Sequence, residues 1–162
     1  MSRKTPDFPL KKRWYKRHVN VFRPSVLFMA VSNSARTQMA EALLKHHAGE
    51  RFEVYSAGLE AGQIHPHARI ALEEMGISMQ GQYPKALKDF LGLTFHYLIT
   101  LSEEQEDAPI FPGVSTRLDW MISPPAQDDL NAFRRVRNQL DLQIQHFLVD
   151  CELQKLGVKT LI

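Results

Sequence analysis

The stretch VLFMAVSNSARTQMAE, Val26 to Glu41, holds the residues best suited to chemistry. An apolar run, Val26, Leu27, Phe28 and Met29, stops at small polar residues, and from Arg36 onward Met39, Ala40, Leu43 and Leu44 recur at helix spacing. A strand, a tight loop and a helix in that order gather backbone N–H groups at a helix N-terminus, whose partial positive charge favours phosphate-like anions. Arg36 closes the loop with a planar fork of donors that matches a tetrahedral oxyanion. The candidate oxyanion-binding residues are therefore Val31, Ser32, Asn33, Ser34, Ala35, Arg36 and Thr37. Asn33 and Ser34 are also types that brace a loop through side-chain hydrogen bonds.

The elements that must position this loop follow from hydrophobic periodicity. Strands are expected at 26–31, 52–57, 95–101 and 116–120, and helices at 36–48, 66–75, 84–91 (short) and 126–149. In the last helix Leu130, Phe133, Val136, Leu140, Ile144 and Phe147 repeat at three and four. Strands alternating with helices imply an α/β three-layer sandwich, a four-stranded parallel sheet flanked by helices, with ligands beyond the carboxyl ends of the strands. The 30–36 loop follows strand 1 at such an end.

Composition bounds the rest. The 162 residues fit one domain with a proper core, and the formal charge of +2 hides an asymmetry. Residues 1–23 hold eight Lys/Arg and one acid, leaving twelve bases against seventeen acids in the remainder. We read 1–25 as a basic arm, 26–150 as the domain and 151–162 as a C-terminal tail. The one cysteine, Cys151, excludes an internal disulfide and a cysteine metal cluster, and a reducing cytoplasm is the expected location. A secretory signal and a membrane span are not expected, because Arg23 and Pro24 interrupt the best apolar candidate.

AVSNSAR, Thr37 and QMAEALL together resemble low-molecular-weight protein tyrosine phosphatases and the related thioredoxin-coupled arsenate reductases. YSAGLE at 55–60, IHP at 64–66, HYLIT, PIFPG at 109–113 and the long final helix extend the likeness over roughly 26–149. The resemblance implies a cysteine nucleophile as the first loop residue, a thiolate activated by the loop's amides and arginine. Ala30 stands there instead, and losing a nucleophile can cost on the order of 10⁶ in rate. It also implies an aspartate general acid before a proline, but here Pro124 occupies that place, which would remove roughly 10²–10⁴ more. The arsenate reductase relay implies two further cysteines, near Ser102 and Ala108 in this chain. Changes at Ala30, Ser32, Ser102, Ala108 and Pro124 point to natural drift rather than a single engineered substitution. Ser32 replaces a usual glycine, and a positive φ there would cost roughly 1–2 kcal/mol.

The expectation is thus a catalytically degenerate relative that binds phosphate or a phosphorylated ligand, a phosphorylated protein included, through the 30–36 loop. One alternative is an active phosphatase or arsenate reductase-like enzyme with another nucleophile, drawn from Ser32, Ser34 or Thr37. A second places function in the arm, where Lys11 to Arg17 interleave cations with Trp14 and Tyr15 in a pattern suited to nucleic acid or anionic surfaces. Asp128 and Asp129 read as first-turn helix acids. His65 and His67 flank a helix-starting proline, so no metal and no cofactor are expected. Glu103, Glu104, Glu106 and Asp107 read as a solvated run.

Overall fold

The computed structural model describes residues 22–103 and 111–159. Most of the basic arm, including Lys11 to Arg17, lies outside these residues, as do Ala108 and most of the acidic run. The elements are β1 (Ser25–Ser32), α1 (Arg36–Ala48), β2 (Glu53–Glu60), α2 (Pro66–Glu73), a 3-10 turn (Leu87–Phe90), β3 (Phe95–Ser102), β4 (Val114–Met121) and α3 (Leu130–Lys155). The strands form one parallel sheet in the order β2-β1-β3-β4. β1 is central, which is why Val26, Leu27 and Phe28 form an unbroken apolar run and are fully buried.

The two faces of the sheet are covered differently. Val26, Phe28 and Ala30 face a large cluster that includes Met39, Leu43, Leu72, Phe133, Leu140 and Phe147, contributed by all three α-helices. Leu27 and Met29 face a smaller cluster with Leu98, Phe90, Phe95 and Phe111. The flanking layer on that second side is carried by the 3-10 turn, where the sequence pattern predicts a short helix.

α1 has the bounds that its periodicity predicts, and the other elements differ at their ends. β2 runs to Glu60 rather than residue 57, because Gly58 and Glu60 continue the register opposite Ala30 and Ser32. α3 starts at Leu130 rather than residue 126, since Asp129 is its N-cap and accepts a hydrogen bond from the Asn131 amide at 2.9 Å. It ends six residues later than expected. Gly157, at φ 77°, donates to the Gln154 carbonyl and Val158 donates to that of Leu153, a Schellman closure that stops the helix. At the other end, Ser25 already belongs to β1, and the Pro24 carbonyl accepts from the Glu53 amide at 3.0 Å.

Candidate functional site

The loop leaves β1 at its carboxyl end and enters α1 at Arg36. Ala35, the N-cap of α1, offers no side-chain hydrogen bond, so the first amides of the helix are left for another acceptor. Ser32 lies within β1 and pairs with Glu60, and no described non-glycine residue has positive φ. The serine therefore carries no left-handed strain. Its hydroxyl donates to that of Ser34 at 3.1 Å, while the Ser34 carbonyl accepts from the His65 amide at 3.0 Å. Val31 is 56% exposed at the loop's mouth. Arg36 Nη1 donates to the carbonyls of Leu101 at 3.1 Å and Ile122 at 2.7 Å. The guanidinium thus joins the loop to the carboxyl ends of β3 and β4.

Behind the loop is a buried polar network. Asn33 is fully buried and uses its whole side-chain capacity. Its Nδ2 donates to Thr37 Oγ1 at 2.9 Å and to Ser56 Oγ at 3.0 Å, and its Oδ1 accepts from Gln38 Nε2 at 2.7 Å and from the Lys85 amide at 2.8 Å. The Asn33 amide donates to the Glu60 carbonyl at 3.2 Å, so this residue braces the loop with its backbone as well. Ser56 passes the chain on to Glu41, donating at 2.6 Å. Glu41 also accepts from Lys45 at 2.9 Å and lies 3.5 Å from the buried ammonium of Lys85. Burial pushes the Lys85 amine below the usual lysine range, against the pull of Glu41. Gly58 permits this closeness, because a Cβ there would meet the Asn33 nitrogen at 2.4 Å and the Glu60 oxygen at 2.3 Å.

A parallel sheet in the order 2-1-3-4 places the loop after β1 at the carboxyl end of a central strand and at the N-terminus of α1. The model of the family described as low molecular weight phosphotyrosine protein phosphatase matches residues 25–159. The chain belongs to that family. Arsenate reductase 1 of Staphylococcus epidermidis is 32% identical over 124 residues, covering 76% of this chain and 94% of that protein. A solved arsenate reductase in the phosphate binding state superposes with a TM-score of 0.71 at 29% identity, over 78% of this chain and 98% of the other. The thioredoxin-dependent arsenate reductase of Corynebacterium glutamicum gives 0.67 at 32% identity, over 89% and 72%.

Ala30, the position to which the sequence resemblance assigns a cysteine, lies within β1 and carries a methyl group. Ala30 is buried, 8% exposed, and pairs with Gly58. Pro124 is exposed in the segment after β4, between exposed Ser123 and buried Pro125. Ser102 donates to Asp119 at 2.7 Å. Cys151 sits at the opposite end of the sheet, with its Sγ 3.8 Å from the hydroxyl of Tyr97, whose strand partner is Val26 at the start of β1. From Val26 to the loop is about 20 Å of extended chain. Burial pushes the Cys151 thiol up, away from the thiolate form. Asp129 is committed to its helix cap, and Asp128 is exposed.

His65 and His67 pack at the start of α2. His65 Nδ1 accepts from the His67 amide at 3.0 Å as the N-cap of α2, and the His65 ring stacks on Phe133 at 4.5 Å. Burial, then the neighbouring His67, lowers the pKa of His65, while Asp128 opposes the shift. Among the described residues no three His, Cys, Asp or Glu are arranged to hold a metal ion, and no helix is long and apolar enough to cross a membrane. The residues that sequence reasoning missed are Gln38, Glu41, Ser56 and Lys85. Thr37, Gln38 and Glu41 offer a signal, since they put polar groups on buried positions of α1.

Proposed function

We propose that this chain is a catalytically degenerate member of its family that binds a tetrahedral oxyanion, phosphate or a phosphorylated group, in the 30–36 loop without turning it over. Ala30 carries the reading. A methyl group at the nucleophile's place leaves no atom to attack phosphorus or arsenic, and Pro124 offers no proton to a leaving group. The open amides of the α1 N-terminus and the charge of Arg36 still favour an anion. Removing the family's thiolate also removes a repulsion against the ligand, worth at most about 4 kcal/mol per charge pair at 4 Å.

A calorimetric titration with inorganic phosphate tests the binding half. Saturable binding that Arg36→Ala weakens by roughly 10- to 100-fold supports the proposal, and an isotherm unchanged in Arg36→Ala overturns it.

The names of the relatives favour a second reading, reduction of arsenate. That chemistry needs a reactive thiol, and Cys151 is buried at the far end of the sheet. Thioredoxin-coupled turnover of arsenate, lost in Cys151→Ser, would establish this reading in place of the first.

A further inference from the structure

His65 joins the 30–36 loop to α2. Its backbone N–H donates to the Ser34 carbonyl at 3.0 Å, and Gly62 runs so close over the loop that a Cβ there would meet Ser32 Oγ at 2.7 Å. The same residue is the N-cap of α2, in extended conformation at φ −68° and ψ 134°. A helix start leaves amides without acceptors inside the helix, and each one here is accounted for. Pro66 has no N–H, and the Ala68 amide reaches the His65 carbonyl at 3.0 Å. The His67 amide has only the His65 ring, whose Nδ1 accepts it at 3.0 Å.

That last bond exists in one protonation state. A neutral imidazole accepts at Nδ1 when its proton is on Nε2, whereas the imidazolium carries protons on both nitrogens and accepts nowhere. Protonation would therefore set a donor against the donor it caps, a dependence that an asparagine or serine cap does not have near neutral pH. The surroundings hold the ring neutral. It stacks on the uncharged Phe133 of α3 with centroids 4.5 Å apart, and the His67 ring lies 5.0 Å away on α2. Burial first and His67 second lower its pKa, and Asp128, from the segment ahead of α3, opposes them. From the loop it meets the uncharged Ser34. The α3 cations nearest to α2, Arg134 and Arg137, are paired with Glu74 at the helix's other end.

We propose that His65 is a positioning residue for the 30–36 loop, and that it acts only as the neutral imidazole, fastening the loop to the capped start of α2. This rests on the reading of that loop as an oxyanion site. When the ring is protonated, the first turn of α2 loses its cap, the 62–65 segment loosens from Ser32 and Ser34, and the loop amides lose their common direction. Anion binding then weakens in acid. The charge of the ring alone would do the opposite, since an imidazolium beside the loop attracts an anion.

Sulfate is the probe, because it stays a tetrahedral dianion where histidine titrates. Its affinity is measured by calorimetry for the natural chain, His65→Asn and His65→Ala at about pH 8 and about pH 5, on either side of the ordinary histidine range. Asparagine accepts an amide at both pH values and alanine at neither. Both variants lose the stack on Phe133 and keep His67 and Asp128, so they differ in the cap. At about pH 8 the natural chain binds like His65→Asn, and ~5-fold more tightly than His65→Ala, the size of a lost cap. The ratio of natural-chain affinity to His65→Asn affinity then falls ~5-fold on going to about pH 5. Melting temperatures without sulfate follow the same order. With the folded pKa lowered, the ring's contribution is present above about 6.5 and is lost as pH falls below it. A ratio that stays constant overturns the proposal, and a ratio that rises in acid overturns it by showing that the ring acts through its charge. Equal affinities for His65→Asn and His65→Ala at about pH 8 overturn it as well. The failure of the oxyanion reading is distinct: no saturable sulfate binding by any of the three proteins overturns that reading and this inference with it.

Discussion

Arg36 Nη1 and the carbonyl oxygen of Ile122 are 2.7 Å apart, a bond that ties the loop after β1 to the segment after β4. The same nitrogen reaches Leu101 in β3, so one side chain spans three neighbouring strand ends. Its removal has two consequences. Arg36→Ala lowers phosphate affinity by roughly 10- to 100-fold, since a charge-assisted bond contributes about 1.5–3 kcal/mol. It also lowers the melting temperature without phosphate, because two carbonyls lose their donor. Calorimetry and thermal denaturation of one preparation read both effects, and an unchanged melting temperature would show that the carbonyl contacts contribute nothing.

The network behind the loop makes Asn33 the most exacting position. Asn33→Ala strands the Lys85 amide and leaves Gln38, Thr37 and Ser56 each one partner short in a buried region. Each unsatisfied buried group costs about 1–3 kcal/mol, and partial rearrangement offsets some of the sum. The expected loss in urea denaturation is ~3 kcal/mol. Ser56→Ala, which breaks two bonds but leaves Asn33 its other three partners, should cost less.

Gly58 has an ordinary backbone conformation and is required for space. Gly58→Ala drives a Cβ to 2.4 Å from the Asn33 nitrogen, a contact with backbone that no side-chain rotation relieves. We expect a destabilisation of ~1–3 kcal/mol or more by denaturant titration, together with weakened phosphate binding. Gly76→Ala has open space around its Cβ but a φ of 72°, so its cost is backbone strain alone and should leave binding intact.

At the other end of the sheet, burial and then the neighbouring Cys151 push the Tyr97 hydroxyl up to about 12. The folded state therefore keeps this proton after the unfolded chain has lost it near pH 10. The associated stability is present below pH 10 and is lost as pH rises toward 12. Relative to Tyr97→Phe, the natural chain should lose stability across that window. Parallel curves for the two proteins in alkaline urea denaturation would contradict the assignment.

These residues also show what the sequence makes legible. The order of strands and helices, the bounds of α1 and the position of the loop follow from local periodicity, because β1 is buried on both faces and α1 carries Met39, Ala40, Leu43 and Leu44 at helix spacing. The end of β2 does not. Gly58 reads locally as a place to stop, and only the close approach of Asn33, just after the neighbouring β1, explains why a glycine is needed within the strand. Gly157 is the kind of stop signal that ends α3, but the apolar row at Leu142, Val149 and Leu156 blurs the helix's inward period. For the site, Ala30, Arg36 and Pro124 stand out once the loop pattern is seen. Lys85 carries no local signal at all, since its amide reaches Asn33 across 52 positions of chain. Glu41 could have been suspected as a charged residue among Met39, Ala40, Leu43 and Leu44, and Ser56 becomes its partner only through the sheet.

The account rests on Ala30, and its most direct test is the turnover of p-nitrophenyl phosphate by the purified chain at concentrations that saturate the phosphate site. We predict no hydrolysis above the rate of Arg36→Ala prepared identically, alongside competitive displacement of bound phosphate by the ester. Saturable hydrolysis that disappears in Arg36→Ala would mean that another atom in the loop attacks phosphorus, and would contradict the claim that the site binds without reacting.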